Sequence, residues 1–360
     1  MSNPIARLND FGQAPWYDNL NRELIRSGVL ARLISHDGIR GATSNPTIFE
    51  QAVSGGDAYD AQIAQLAAEE RDLEDVYWEL MLTDIDQACD TFRPVHEEYA
   101  DGFVSIELDP TLAHDTEQST EQARLFHQRL GHPNVMVKIP GTAAGLRAIE
   151  DTLAEGNNVN VTLIFGLDRY DEVIEAYLRG LERHADGGGD LSRVFSVASF
   201  FVSRVDTETD RRLPEGHALR GAAAVANAKL AYRLFRSRFA GERWAALSAR
   251  GANLQRPLWA STSTKDPTYS DTIYVDELVG PDTVNTLADA SLDALRDHGD
   301  PQGGTVERAV EEAEAVMAGL ADAGVDFADV TATLEREGVE KFAASFRNAL
   351  DTIDKRRAEL

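Results

Sequence analysis

The sequence predicts an α/β protein, and a (β/α)8 or TIM barrel with additional helices is the most economical architecture. Short runs rich in β-branched and aromatic residues alternate with longer stretches of helical period, the pattern of a parallel α/β fold. About eight candidate strands can be counted, and eight strand–helix units close a barrel of this kind. A chain of 360 residues, 43% of them hydrophobic, is long enough to bury the core that a barrel needs.

The predicted strands are short apolar runs bounded by turn residues. In chain order they are Pro15–Tyr17, Ile39–Thr43, Phe103–Glu107, Val135–Ile139, Val159–Phe165, Val194–Ser199, Pro257–Ser261 and Thr272–Val275. The predicted helices are amphipathic stretches between these runs. They are Asp57–Ala68, Leu73–Phe92, Glu117–Leu130, Ala143–Ala154, Leu167–His184, Ala218–Phe239, Thr305–Leu320 and Val339–Ile353.

The whole chain, residues 1–360, is expected to form a single barrel domain. The Gly-rich stretches at 186–190 and 298–304 are too short and too isolated to be interdomain linkers. The sequence contains neither an internal repeat nor a low-complexity tract. A long helical pair, Asp72–Glu98, precedes the third strand and is expected to be an insertion on the outside of the barrel.

The charge balance excludes two classes of partner. The 35 basic residues against 61 acidic ones give a formal net charge of −26. This charge repels nucleic acid and anionic membranes wherever basic groups are not concentrated, and the sequence has no basic run. We interpret the acidity as a solubilising surface. A phosphorylated substrate would therefore need specific cations to hold it.

The sequence also predicts a cytoplasmic location. Residues 1–10 lack the apolar core of a signal peptide, and no apolar run approaches the roughly 20 residues that span a bilayer. The single cysteine, Cys89, excludes an internal disulfide and lies in a helix-like stretch, where a buried bystander is expected.

Polar side chains recur late in otherwise apolar predicted strands. They are Glu107, Lys138, Asn160, Thr162, Ser199 and Ser261. Because catalytic groups of barrels gather at the C-terminal ends of the strands, these residues are predicted to lie together. Taken singly, each could be an ordinary buried polar group satisfied by a neighbour. Their recurrence favours a common site.

Lys138 is the most informative of these residues. The chain has five lysines, namely Lys138, Lys229, Lys265, Lys341 and Lys355. Only Lys138 interrupts a predicted strand, and burial there would favour the neutral, nucleophilic form of its amine. The alternative is a structural lysine that snorkels or forms a buried ion pair with Glu107. Residue type and position alone leave both roles open.

Other catalytic chemistries lack support in the sequence. It contains no Gly-rich loop ending in Lys-Ser/Thr, no Gly-x-Gly-x-x-Gly after a strand, and no His-Glu-x-x-His. The 8 histidines are scattered, so surface or capping roles are expected for them rather than metal ligation. Neither a metal nor another cofactor is expected.

The segments around these residues resemble those of the transaldolase family. Gly41–Ile48 is similar to the family's Thr-Ser/Thr-Asn-Pro-Ser/Thr motif, and Val135–Thr142 resembles its active-site lysine segment. Asn158–Phe165 and Ser199–Arg204 also match, in the family's order. The resemblance extends from about Trp16 to Val284, and four ordered matches are far more specific than one.

The resemblance implies a (β/α)8 barrel and a role for each matching residue. Lys138 would form a Schiff base with the ketose carbonyl, and Asp18 would act as acid and base on the hydroxyl beside the broken bond. Glu107 and Thr162 would hold a water that carries protons while the carbinolamine forms and breaks down. The residues binding the three-carbon unit and its covalent intermediate would be Asn45, Asn160 and Ser199.

The resemblance further implies that Arg204 and Ser261 recognise a phosphate, since a guanidinium matches an oxyanion well. The chain departs from the family here. Many members carry Ser-x-Arg after the seventh strand, whereas Ser263 takes the place of that arginine. Lys265 from the same loop is the candidate second cation, and the alternative is a solvated loop lysine.

The activity implied is that of a transaldolase of the pentose phosphate pathway. Such an enzyme transfers a dihydroxyacetone unit from sedoheptulose 7-phosphate or fructose 6-phosphate to glyceraldehyde 3-phosphate or erythrose 4-phosphate. Phe201 stands where related aldolases have tyrosine, which favours transfer over release. The alternatives are fructose 6-phosphate aldolase-like cleavage, a natural-product relative with altered sugar specificity, or a catalytically silent sugar-phosphate-binding barrel. A monomer or homodimer is expected.

Overall fold

The computed structural model describes residues 3–360; Met1 and Ser2, with which the predicted domain begins, lie outside the described residues. Within this range the chain forms eight strands. They are β1 (Gln13–Tyr17), β2 (Gly41–Thr43), β3 (Phe103–Glu107), β4 (Val135–Pro140), β5 (Val159–Ile164), β6 (Ser196–Phe201), β7 (Gln255–Ala260) and β8 (Thr283–Leu287).

The described residues also form sixteen α-helices. They are α1 (Pro4–Asp10), α2 (Arg22–Arg26), α3 (Val29–Asp37), α4 (Pro46–Ser54), α5 (Asp60–Ala68), α6 (Leu73–Tyr99), α7 (Thr116–Leu130), α8 (Ala143–Ala154), α9 (Leu167–Asp186), α10 (Ser203–Arg212), α11 (Ala223–Arg238), α12 (Glu242–Ser248), α13 (Ile273–Asp276), α14 (Asp289–His298), α15 (Val310–Asp322) and α16 (Phe327–Glu359). Short 3₁₀ turns occupy Pro110–Leu112, Leu191–Arg193 and Thr305–Glu307.

The eight strands form a closed parallel barrel in sequence order, which confirms the predicted fold class. Closure comes from β1 and β8, which pair over five residues from Gln13↔Thr283 to Tyr17↔Leu287. The main hydrophobic core lies between the barrel and its surrounding helices. Every strand therefore ends at the same face of the barrel, where active sites of this architecture are built.

Seven of the predicted strands are confirmed within a few residues, but the eighth is wrong. Thr272–Val275 begins the single-turn helix α13, and the true eighth strand is Thr283–Leu287. β8 reads as a loop because its sequence, Thr-Val-Asn-Thr-Leu, is mostly polar. In the barrel these polar groups bond to backbone carbonyls: Thr286 Oγ1 donates to Trp259 O at 3.1 Å, and Thr283 Oγ1 to Gly280 O at 2.6 Å. A polar strand can thus be buried at little cost.

The expected outer insertion at Asp72–Glu98 is also wrong. These residues belong to a single 27-residue helix, α6, which packs directly on β3 and is one of the barrel's own helices. Leu80, Ile85, Cys89 and other apolar side chains of α6 are buried. The additional helices on this side are α4 and α5 instead, which pack with α16.

The helix α16 is 33 residues long, more than twice the span predicted at Val339–Ile353. It packs on α4, on the turn Pro110–Leu112, on β5 and on α10. Since these elements lie at or follow the C-terminal ends of strands, α16 crosses that end of the barrel. Gly338 permits this close approach, because a Cβ there would lie 2.9 Å from Leu163 Cδ2.

The distal half of α16 is fixed by a second apolar cluster, in which Phe346 and Ile353 pack with Phe49 and Tyr77. An ion pair from Arg356 to Asp60, 2.8 Å long, holds it to α5.

Within residues 3–360, no helix combines the length and apolar character needed to cross a bilayer.

Candidate active site

A cavity of about 400 Å³ opens at the C-terminal end of the barrel, beneath α16. Nine of the eleven residues predicted to form a site line it. They are Asp18, Asn45, Lys138, Thr162, Ser199, Phe201, Arg204, Ser261 and Lys265. The other two, Glu107 and Asn160, are buried next to lining residues and do not face the cavity themselves. The structure therefore brings the predicted set together.

Lys138 lies at the centre of this set. It is held on β4 between Glu107 of β3 and Asn160 of β5, its direct partners in the strand register. Its side chain is 7% exposed, and its Nζ lies 2.8 Å from Glu107 Oε2. Nζ also donates to Ser44 O at 3.2 Å. The buried ion pair that the sequence left as an alternative is thus present, and its amine also borders the cavity.

Glu107 and Thr162 flank Lys138 with unused hydrogen-bonding capacity. Glu107 Oε1 and Thr162 Oγ1 are buried, and neither has a partner among residues 3–360. Burial raises the pKa of Glu107, and the charge of Lys138 opposes this rise. An orphaned buried oxygen is costly unless a water or ligand completes it. These two atoms are therefore suited to hold a small polar molecule beside the amine.

Asp18 follows the last residue of β1, and its backbone N–H donates to Leu287 O at 3.0 Å. Thr43 Oγ1 donates to its carboxylate at 2.6 Å. Burial raises the pKa of Asp18, while the charge of Lys138 and this hydrogen bond oppose the rise. A carboxyl with a raised pKa that faces a cavity is a candidate general acid and base.

Of the three residues predicted to bind the three-carbon unit, Asn45 and Ser199 line the cavity and Asn160 lies behind Ser199. Asn45 caps α4, accepting from Ile48 N through its side-chain oxygen, so its amide nitrogen remains available to the cavity. Asn160 donates to Ser105 Oγ at 3.0 Å and accepts from Ser199 Oγ at 2.7 Å. Both ends of the Asn160 amide are thus engaged within the barrel, and Ser199 faces the cavity above it.

Arg204 lies in the first turn of α10, shortly after the end of β6, and its guanidinium carbon lies 5.1 Å from the centroid of the Phe201 ring. Phe201 is fixed in turn by Phe165, whose ring centroid is 5.1 Å away. Burial lowers the pKa of Arg204, whereas the charges of Asp18 and Glu107 raise it. An arginine keeps its charge even so.

The loop carrying Ser261 and Lys265 is tied to α10. Ser261 has a positive φ of 58° and its Oγ lies 2.9 Å from Ser203 Oγ. Further along the loop, Tyr269 donates to Asp210 at 2.6 Å and Tyr274 to Asp206 at 2.7 Å. These bonds hold the Lys265 loop beside the helix that carries Arg204.

Sequence reasoning missed several lining residues. Thr43 orients Asp18, and Lys341 and Phe342 reach the cavity from α16. The scarcity of lysine could have pointed to Lys341, because three of the five lysines line this one cavity. Lys341 was missed because it lies far from the strands in sequence.

Within the described range, no group of three or more His, Cys, Asp or Glu residues is placed to hold a metal ion.

The chain is similar to known proteins over nearly its whole length. The family model described as "Transaldolase/Fructose-6-phosphate aldolase" matches residues 15–353. A protein named "Transaldolase" from Saccharopolyspora erythraea is 52% identical over 352 residues, covering 97% of this chain and 96% of the relative. Proteins of the same name from Parafrankia sp. and Thermobifida fusca are 50% and 49% identical over 360 residues, each covering 98% of both chains.

Proposed function

The chain belongs to the transaldolase/fructose-6-phosphate aldolase family and is a transaldolase, and we propose that it works through a Schiff base on Lys138. One observation carries the mechanism: a buried lysine amine borders the cavity while lying 2.8 Å from a buried carboxylate. Such an amine is placed to add to a carbonyl bound in the cavity. The substrates are phosphorylated ketoses and aldoses.

In the first step, Lys138 Nζ attacks the ketose carbonyl to give a carbinolamine, which loses water to become the Schiff base. Both changes require protons to leave the lysine nitrogen and to reach the former carbonyl oxygen, which departs as water. Glu107 and Thr162 are suited to this, since each has a buried oxygen without a protein partner beside the amine. We assign them to hold the water that carries these protons.

In the second step, Asp18 takes the proton from the hydroxyl beside the bond to be broken. The carbon–carbon bond breaks, the aldose leaves, and the electron pair is held by the iminium as an enamine. An acceptor aldehyde then adds by the reverse sequence, with Asp18 returning the proton. The raised pKa of Asp18 supports this exchange, because a group that shuttles protons works best near the operating pH.

Binding of the three-carbon unit falls to Asn45 and Ser199, which line the cavity. Asn160 acts through Ser199, whose Oγ it holds at 2.7 Å, and so positions the hydroxyl rather than touching the sugar. The phosphate is bound by Arg204, Ser261 and Lys265, which also line the cavity.

Phe201 favours transfer over release. It presents an apolar ring to the cavity and no hydroxyl that could help water to reach the intermediate. The aldolase alternative is therefore not favoured. A silent sugar-phosphate-binding barrel is not favoured either, because Lys138, Asp18 and Glu107 are all present and adjacent.

The proposal also covers the domain organisation, cellular location and oligomeric state of the protein. We assign residues 1–360 to a single catalytic domain that acts in the cytoplasm as a monomer or homodimer. Support comes from the free, buried Cys89, which is compatible with a reducing compartment, and from a core continuous around the barrel.

Borohydride trapping tests the mechanism. Reduction in the presence of fructose 6-phosphate should add the three-carbon unit covalently to Lys138, located by peptide mass spectrometry. Lys229→Ala is the matched control, since Lys229 is another buried lysine paired with a carboxylate, Glu277, at 2.7 Å but lies away from the cavity. This variant should still be labelled at Lys138. An adduct on a different lysine, or none, would overturn the proposal.

A further inference from the structure

Three of the chain's five lysines converge on one cavity although they are 76 or more residues apart in sequence. Lys138 lies at its floor, Lys265 on the loop after β7, and Lys341 on α16. Of the other two, Lys229 is paired with Glu277, and Lys355 lies near the far end of α16. Elsewhere the chain uses arginine for nearly all of its positive charge. The lysine at 341 therefore calls for an explanation other than general surface charge.

The position of Lys341 is fixed by the packing of α16. Three residues earlier, Gly338 packs against Leu163 at the end of β5. The next residue, Phe342, is buried and lines the cavity, and Ser345 Oγ lies 2.7 Å from Thr47 Oγ1. Since these contacts bracket Lys341 on both sides, they fix its backbone at the rim, from which its exposed side chain lines the cavity.

Lys341 faces two other cations there. The chain has 61 acidic residues. Among residues 3–360, however, no carboxylate oxygen lies within ion-pair distance of Lys341, Lys265 or Arg204, which all line the cavity. Burial lowers the pKa of Lys265, and repulsion from Arg204 and Lys341 lowers it further. Burial and Arg204 likewise lower the pKa of Lys341. The charge of Asp18 raises the pKa of both Arg204 and Lys265, but Asp18 forms no ion pair with either. Three cations without an ion-paired acid in a strongly anionic protein are stabilised best by a dianion placed between them.

We propose that Lys341 is a third phosphate-binding residue, through which α16 takes part in substrate recognition at the barrel mouth. This inference rests on the proposed function, because it assigns the phosphate of the same sugar substrates to a site completed by the C-terminal helix. Arg204 supplies a rigid fork from α10, whereas Lys265 and Lys341 supply point charges from the loop after β7 and from α16. The sugar chain then runs from this rim towards Lys138.

Paired lysine variants on one helix test this role. Lys341→Gln removes the charge at the cavity, and Lys355→Gln removes one from the same helix away from it. We expect Lys341→Gln to raise the KM for fructose 6-phosphate about three- to tenfold, the range for a partly screened contact with a dianion. Borohydride trapping of unphosphorylated dihydroxyacetone should change much less. Lys341→Arg should restore most of the affinity.

A binding measurement separates the contact from catalysis. Inorganic phosphate should raise the melting temperature of the wild-type protein, and the phosphate concentration giving half of that effect reports the affinity. This concentration should rise in Lys341→Gln and Lys265→Gln, and not in Lys355→Gln. The difference should shrink as the ionic strength increases.

The outcomes distinguish this inference from the mechanism beneath it. Equal phosphate affinity in the Lys341→Gln and Lys355→Gln variants would overturn the role of Lys341, whatever happens at Lys138. Absence of any adduct on Lys138 of the wild-type protein would overturn the Schiff-base mechanism, while phosphate binding would still decide the role of Lys341. Lys341→Gln could also lower the trapping of dihydroxyacetone as much as it lowers kcat/KM for fructose 6-phosphate. That result would show a structural effect of the substitution and would overturn the phosphate-binding role of Lys341.

Discussion

Two buried ion pairs in this protein look alike by burial and charge, yet they differ in what surrounds them. Lys138 and Glu107 lie at the mouth of the barrel, 7% and 3% exposed and 2.8 Å apart. Arg22 and Asp84 join α2 to α6 outside the barrel, 0% and 5% exposed and 2.6 Å apart. Burial raises the pKa of both acids.

The Arg22–Asp84 pair is enclosed by protein groups. Tyr59 donates to the second oxygen of Asp84 at 2.8 Å, and Arg22 donates to Leu80 O at 3.1 Å. The guanidinium also lies over the Tyr59 ring, 4.3 Å from its centroid. At the barrel mouth, by contrast, Glu107 Oε1 has no partner in the described chain and Lys138 borders a cavity.

The contrast shows that burial of an ion pair does not by itself indicate function. An enclosed pair whose cation is arginine can only hold elements together, because arginine does not release its proton in proteins. A lysine pair with free hydrogen-bonding capacity and access to a cavity can exchange protons with a ligand. Access to the cavity separates the two roles, since Arg22 Nη1 is also buried without a partner in the described chain.

The largest expected effect comes from removing the amine at the mouth. Lys138→Ala should reduce transfer to background, since Lys138 is the lysine that lies within 2.8 Å of the Glu107 carboxylate and is assigned to the Schiff base. The barrel should remain folded, because the raised pKa of Glu107 lets it take up a proton once its partner is gone. Coupled transfer assays and thermal unfolding of the same preparation measure the two effects. A variant that unfolds would favour a structural role for the pair.

Breaking the enclosed pair should have the opposite consequence. Arg22→Ala should lower the free energy of unfolding by about 3–5 kcal/mol, the cost of leaving a buried charge unpaired. The loss should grow as the pH rises from the ordinary pKa of an aspartate towards the raised pKa of Asp84, because an unpaired buried carboxyl is tolerated only when protonated. Turnover per folded molecule should persist.

Arg26→Ala serves as the control for this change, because Arg26 is an exposed arginine on the same helix. Denaturant unfolding at two pH values compares the variants. Equal stabilities of the two would contradict the structural role of Arg22–Asp84.

Removing one hydrogen bond from a carboxyl in each region should change the pH dependence of catalysis at the barrel mouth but not at the enclosed pair. Thr43→Val removes the 2.6 Å bond that lowers the pKa of Asp18, so that pKa should rise further. Because Asp18 must be ionised to accept a proton, the acid limb of kcat/KM should move to higher pH.

Tyr59→Phe removes the comparable bond to Asp84 and should cost about 1 kcal/mol of stability while leaving the pH profile unchanged. Both pH–rate profiles are measured with fructose 6-phosphate as donor. A shifted limb in Tyr59→Phe, or an unshifted one in Thr43→Val, would refute the assignment of Asp18.

The smallest effect concerns the fate of the intermediate. Phe201→Tyr should raise the release of free dihydroxyacetone relative to transfer by about a few-fold, because a hydroxyl at this position can help water to attack. Phe165→Tyr is the control, since Phe165 contacts Phe201 but does not line the cavity. Donor-only and donor–acceptor assays give the ratio, and an unchanged ratio would contradict the role given to Phe201.

Much of the fold was predictable from local pattern. Seven strands stood out as apolar runs, and the polar residues at their ends pointed to the barrel mouth. The eighth strand did not, because its polar side chains are satisfied by other elements: Gln13 donates to Thr283 Oγ1, Asn285 donates to Tyr274 O, and Thr286 donates to Trp259 O. A strand stabilised by tertiary hydrogen bonds leaves no apolar pattern to detect.

The sequence by itself determined the barrel, the lone strand lysine and the ordered motifs around it. Strand periodicity and residue type are local properties, and they fix which groups meet at the C-terminal ends of the strands. The tertiary structure decided that α16 crosses the mouth, that Lys341 joins Arg204 and Lys265, and that Lys138–Glu107 opens to a cavity while Arg22–Asp84 is enclosed. Access and electrostatic surroundings depend on groups far apart in sequence, so they exist only once the chain is folded.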